Sequence, residues 1–237
     1  MAQTHSSRET PAASYLARGY EWQARGVFDR AIANYDIAIA FDPRFERAYY
    51  ARDRARLYKG DVEAALVDFN RAIELDPRHA AAYNDSGCAL SEIGEQESAL
   101  ADFKRALELD PRFAHAYHNR AFVRIHQRDY RAAIADYDRA IECDKKYANA
   151  YNNRGYARAA IGDEKGALSD INHAIKLDPR HASAFGGVRV RRIAARWGGD
   201  AGLLPAGAAG DDGRPDDRIA PRVDSEMIVF RIGPINN

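Results

Sequence analysis

Cysteine is nearly missing from this chain. Only Cys88 and Cys143 occur, far apart and without zinc spacing, so neither a disulfide framework nor a zinc module organises the fold. Net charge is missing as well: Lys plus Arg and Asp plus Glu number 35 each. No field of one sign therefore draws the chain to nucleic acid or to an anionic membrane. No apolar run approaches the ~20 residues of a membrane helix. Met1 to Thr10 has no apolar core of the kind a secretory signal needs. Together these absences predict a soluble protein of a reducing cytoplasm. Nucleophile–base pairs in a recognisable context, phosphate loops and metal motifs are also lacking. The expectation is a chain that is not an enzyme and carries no cofactor.

What is present is a period. Asp-Pro-Arg recurs at Asp42-Pro43-Arg44, Asp76-Pro77-Arg78, Asp110-Pro111-Arg112 and Asp178-Pro179-Arg180, spaced by 34 residues or a multiple of it. Between the last two, the site is Asp144-Lys145-Lys146. Self-similarity at a fixed period means stacked units, each burying its apolar stripe against its neighbours.

The third unit, 80–113, shows the plan. A first helix is expected from about Ala81 to Ile93, broken by Gly94 as a glycine after a last helical turn breaks it. A second helix follows from about Gln96 to Leu109 and stops at Asp110-Pro111, since proline lacks the amide donor and restricts the residue before it. Small residues recur where the helices must approach: Gly19, Gly87 and Gly155 on first helices, and Ala31, Ala65, Ala99, Ala133 and Ala167 on second helices. A helical glycine costs about 1 kcal/mol relative to alanine, so close packing is its reason, with Ala99 expected to face Gly87. Tyr15, Tyr49, Tyr83, Tyr117 and Tyr151, with Tyr35, Phe69, Phe103, Tyr137 and Ile171, fill the space around them.

On these residues the chain resembles the tetratricopeptide repeat family. The resemblance covers five units, 12–45, 46–79, 80–113, 114–147 and 148–181. It departs at Asp53 and Ala121, which replace the first-helix glycine, at Arg128, which replaces the turn glycine, and at Lys145, which replaces the proline. It implies an all-α, right-handed α-solenoid, a superhelix of stacked antiparallel helix pairs. Residues 1–11 read as a disordered N-terminus, 182–197 as a partial sixth repeat or capping helix, and 198–237 as a low-complexity disordered tail. The period ends abruptly after Phe185; an out-of-frame continuation of a longer array and an ordinary flexible tail both account for that.

The resemblance also implies a function: a scaffold or adaptor that binds a partner peptide or helix in the concave groove lined by the first helices. Tyr20, Tyr50, Asn84, Asp85, His118, Asn119, Phe122, Asn152, Asn153 and Tyr156 are the partner-binding candidates. Their amides both donate and accept, which suits a peptide backbone, and their rings give contact area at small entropic cost. Arg54 and Cys88 fall on the same side. The cations with which some family members hold a chaperone's C-terminal carboxylate are missing from the aligned places. Self-assembly through the exposed end of the array, giving a homo-oligomer, is one alternative; a regulatory fragment of a larger transferase is another. His115 and His118, at i and i+3, are too few for a metal site.

Charge adds one more pattern. Arg18, Arg52, Arg120 and Arg154 precede the first-helix small residue, and Asp68, Asp102, Asp136 and Asp170 recur on second helices. Arginine display to a ligand is one reading. An Arg–Asp ladder between packed helices is the favoured one, because the guanidinium fork suits repeated pairing with carboxylates.

Overall fold

The computed structural model describes residues 10–179. Every regular element in that range is an α-helix: α1 Pro11–Ala24, α2 Phe28–Phe41, α3 Glu46–Lys59, α4 Val62–Leu75, α5 Ala80–Glu92, α6 Gln96–Leu109, α7 Ala114–His126, α8 Tyr130–Cys143, α9 Ala148–Ala160 and α10 Glu164–Leu177. They pair as five antiparallel hairpins, and the chain divides into two compact units at Pro111 and Arg112. In the first unit α1 to α6 pack in succession; in the second α7 to α10 do the same. The expectation of five helix pairs holds. The capping helix and tail placed after 181 lie outside the described residues, as do 1–9. Thr10 and Pro11 belong to the first helix and not to a disordered arm: Thr10 caps it through its side chain, accepting from the Ala13 amide, and Pro11 takes its first position, where a missing N–H costs nothing.

Each second helix ends at an aspartate, and that residue is the punctuation. Asp42, Asp76 and Asp144 each accept a hydrogen bond from the amide two residues on, at 2.9, 3.0 and 2.9 Å. This side-chain turn competes with the helix and ends it. It forms at Asp144-Lys145-Lys146 as well as at the Asp-Pro-Arg sites, so the proline is dispensable. The turn inside each hairpin needs a left-handed residue. Gly26, Gly60, Gly94 and Gly162 supply it with φ of 72°, 82°, 87° and 86°, and Arg128 takes the same role with φ of 60°.

The small residues lie at the crossings as expected, with one refinement. A Cβ added to Gly87 would come within 2.8 Å of the Phe103 ring, and one added to Gly155 within 2.9 Å of Ile171 and 3.1 Å of the Ala167 carbonyl. The glycine thus meets the large residue sixteen positions on as its nearest neighbour, not Ala99 as expected. Apolar cores follow from this packing. Leu16, Ala31, Tyr35, Ala38, Ala48, Ala51 and Ala55 form one in the first unit, and a smaller one holds Ala65, Phe69 and Ala89. Residues from Ala121 to Ala157, with Tyr137 and Tyr147 among them, form the core of the second unit.

Candidate partner-binding surface

The first helices of the first unit present Tyr20, Tyr50 and Asp85, and the polar atoms of Tyr50 and Asp85 are turned toward one another. The Tyr50 hydroxyl donates to Asp85 Oδ2 at 2.9 Å, across one repeat. Asn84 donates to the other oxygen, Oδ1, at 2.9 Å, and Arg54 Nε lies 3.6 Å from Oδ2. Burial pushes the Asp85 carboxyl above its usual range, with Arg54, Tyr50 and Asn84 opposing the shift. Burial, and then the Asp85 charge, push the Tyr50 hydroxyl well up. The Tyr50 ring also packs on His79, centroid to centroid 4.5 Å, and His79 Nδ1 sits 2.5 Å from Glu46. Tyr20 is half-buried, edge-on to Tyr35 at 5.8 Å. Desolvation raises its hydroxyl pKa, opposed by Arg47 and Arg54.

In the second unit the equivalent link runs through a histidine. Asn152 donates to Asn153 Oδ1 at 3.1 Å, which orients that amide. Asn153 Nδ2 then donates to His118 Nε2 at 3.1 Å, leaving the ring proton on Nδ1, 3.3 Å from Asn119 Oδ1. The His118 ring packs against Tyr137 and Tyr147 at 5.6 and 5.0 Å. Burial pulls its pKa down to about 4 although the Asn119 bond opposes the shift. His115 packs on the same Tyr147 ring at 5.1 Å. Phe122 stands edge-on to His126 at 4.6 Å.

The candidates divide accordingly. Asn84, Asp85, His118 and Asn119 are 0, 2, 4 and 1 % exposed. The expectation that they display free amide and carboxyl groups to a ligand is therefore corrected: Asp85 and His118 bond to the neighbouring repeat, and Asn84 and Asn119 bond to Asp85 and His118. Tyr20, Tyr50, Phe122, Asn152, Asn153 and Tyr156 are half-buried and keep part of their surface at the face. Cys88 is buried and its thiol is pushed well up by desolvation; a buried thiol of that kind is inert. The sequence reading missed the cross-repeat bonds. Their signal is a spacing of 35, one more than the period, which joins Tyr50 to Asp85 and His118 to Asn153.

The arginines form the ladder. Arg52 binds Asp68 through Nε and Nη2 at 2.7 and 2.6 Å, and reaches Asp36 of α2 with Nη1 at 2.5 Å. Arg56 adds a bond to Asp68 at 2.7 Å. Arg154 repeats the arrangement with Asp170 and Asp138, and Arg158 joins it. Arg120 and Arg124 share Asp136. In the third repeat Ser86 stands in, donating to Asp102 at 2.7 Å. Rings three residues earlier, Tyr49, Tyr117 and Tyr151, lie 5.5, 5.6 and 5.3 Å from the guanidinium carbons. The first repeat lacks the pairing: Arg18 is exposed over Tyr15, and the matching second-helix place holds Asn34, bonded to the Arg30 carbonyl. Arg52 and Arg154 commit all three guanidinium nitrogens within the fold and Arg120 commits two, so ligand display by them is set aside. Among the described residues no group of three or more His, Cys, Asp or Glu converges on a metal position, and no helix is long and apolar enough to cross a membrane.

The profile of the family described as the ETO1 C-terminal domain matches residues 26–191. No curated protein matches the chain. Several solved structures share its fold. YrrB, described as a TPR protein with an unusual peptide-binding site, is 23 % identical with a TM-score of 0.58, over 72 % of this chain and 88 % of its own. TTC0263, a thermophilic TPR protein of Thermus thermophilus, is 22 % identical with a TM-score of 0.59, over 78 % of this chain and 98 % of its own. PilW, a type IV pilus biogenesis factor, is 18 % identical with a TM-score of 0.71, over 81 % of this chain and 88 % of its own. At these identities the likeness shows the fold: the repeats are tetratricopeptide repeats.

Proposed function

We propose that this chain, which belongs to the ETO1 C-terminal domain family, is a cytoplasmic protein-interaction scaffold that holds a peptide or a partner helix on its first-helix faces and catalyses no reaction. A general interaction role is what stacked helical repeats support. The observation that carries the finer reading is a division of labour between residues. The ladder arginines and aspartates and the buried amides are consumed in holding helices together, whereas Tyr20, Tyr50, Phe122, Asn152 and Tyr156 keep partly exposed surface on the first helices. Aromatic and amide groups side by side suit an extended peptide, with rings for apolar contact and amides for its backbone. That YrrB is described as having a peptide-binding site supports the same use of this fold.

The test pairs Phe122→Ala with Tyr156→Ala. A partner captured on the full chain and identified by mass spectrometry is titrated by calorimetry against wild type and the double variant, with melting temperatures measured alongside. At least tenfold weaker binding with nearly unchanged melting is the expected result. Undiminished affinity in a well-folded double variant overturns the reading.

A further inference from the structure

Asp53 occupies a place where this fold has no room for a charge. The corresponding residues of the other repeats are Gly19, Gly87, Ala121 and Gly155, and at the three glycines an added Cβ would meet the opposing large side chain at 2.1 to 2.9 Å. By the same register Asp53 faces α4 at Ala65 and Phe69, both fully buried. Its own side chain is 0 % exposed, and neither carboxyl oxygen makes a hydrogen bond of good geometry, although the Arg54 backbone amide is near enough to favour the charged form. An ionised carboxylate in such a place costs several kcal/mol, and the usual escape is to stay protonated or to move into water.

The surroundings offer little relief: the amide and charge of Arg54 oppose the effect of burial without overcoming it. From α4 the residue facing it is Asp68, whose charge Arg52 and Arg56 of α3 largely hold, and from α5 it is Asp85; both are carboxylates. Its own helix supplies Arg54, whose charge is shared with Asp85. Of the groups that α2 and α1 turn toward α3, Asp36 is held by Arg52, and Tyr20 is set against Arg47 and Arg54. The helix that carries Asp53 is also the least apolar of the ten: Glu46, Arg47, Arg52, Asp53, Arg54, Arg56 and Lys59 make half of its 14 residues charged. Its neighbour α4 contributes Ala65 and Phe69 to a small core with Ala89, against which Tyr50, Leu57, Val62 and Leu66 pack.

We infer that the second repeat carries a pH-gated opening, in which the α3–α4 hairpin separates as Asp53 gives up its proton. Closed, the crossing holds the neutral acid. Open, the carboxyl reaches water and ionises, and the Asp68 and Asp85 charges favour that exit. This device stands apart from the partner surface proposed above, although Tyr50 lies on the same helix and its position depends on which state is populated. Burial raises the Asp53 carboxyl well above its ordinary value, with Asp85 and Asp68 adding to the shift, which agrees with the geometry.

Hydrogen exchange of the full chain, read by mass spectrometry between pH 5 and pH 8 and corrected for the intrinsic rates, tests it. One linked proton changes an opening equilibrium by about tenfold per pH unit. Protection of α3 and α4 should therefore fall with rising pH by up to that slope, relative to α7–α10. Asp53→Ala, which copies the fourth repeat, should remove at least half of the slope and raise protection at pH 8. Asp53→Asn, which keeps the size and removes the ionisation, should remove the slope even if the hairpin stays weakly protected. A pH-independent wild-type hairpin, or a slope that falls by less than half in both variants, overturns the inference.

Discussion

Arg120 clamps Asp136 with two hydrogen bonds, Nε to Oδ2 at 2.9 Å and Nη2 to Oδ1 at 2.6 Å. Asp136 is 3 % exposed, so removing the arginine strips a buried carboxylate of its main partner. Arg124, 2.8 Å away, remains and limits the damage. Arg120→Ala is expected to cost about 2 kcal/mol, below the usual range for breaking a buried pair. Arg120→Lys should recover less than half, because an ammonium cannot make the fork. Ser86→Ala in the third repeat, where a hydroxyl faces a half-buried aspartate, should cost less than Arg120→Ala. Urea unfolding of the three variants checks the order.

His118 makes stability depend on pH. Its folded pKa, about 4, lies below the ordinary value of 6.5. The unfolded chain therefore binds the proton first. Stability from this residue is complete above the unfolded pKa and declines as pH falls from 6.5 toward 4, by up to about 3 kcal/mol. Protonation also puts a hydrogen on Nε2 opposite the Asn153 amide donor. Thermal melts of wild type and His118→Gln between pH 7 and pH 4 should diverge in slope; parallel curves would show that His118 titrates normally.

Arg128 is the only non-glycine residue with positive φ among those described. A side chain in that region costs roughly 1–2 kcal/mol, and glycine returns part of the gain through the freedom of the unfolded chain. Arg128→Gly should stabilise by about 0.5–1 kcal/mol, seen as a higher urea midpoint at unchanged slope. Gly60→Ala should move the midpoint the other way.

Gly19 lies under the Tyr35 ring, which would stand 2.1 Å from an added Cβ. That ring is pinned, because its hydroxyl donates to Gln23 at 2.7 Å. Gly19→Ala should therefore destabilise by roughly 1–3 kcal/mol, despite the gain of about 1 kcal/mol in helix propensity. Gly155→Ala, against the more adaptable Ile171, should cost less. Calorimetric melts of both variants test the difference.

The sequence made the helices legible because a repeat averages out local ambiguity. The first helix of the third repeat was expected over Ala81–Ile93 and runs Ala80–Glu92, and the second was expected and found at Gln96–Leu109. The ladder was legible because arginine and aspartate recur with one spacing. The burial of Asn84 and Asn119 was not, because an amide on a first helix has the same character whether it meets solvent or the next repeat. Nor did the proline show that Asp144 ends its helix without one. Asp53 read as a weakened glycine signal; only the packing reveals that it is a buried acid.

The bonds from Tyr50 to Asp85 and from His118 to Asn153 are offset by one residue from the 34-residue period. Each therefore joins a place in one repeat to the place one residue further on in the next, although Tyr50 donates forward and Asn153 donates back. The partners also differ in kind: a phenol meets a carboxylate at one junction, and an imidazole meets an amide at the other. Repeats that look alike in outline are thus keyed to their own neighbours. Reordering them would keep every hairpin intact and still mate the wrong chemistry at the seams, so the order of the repeats is itself encoded information.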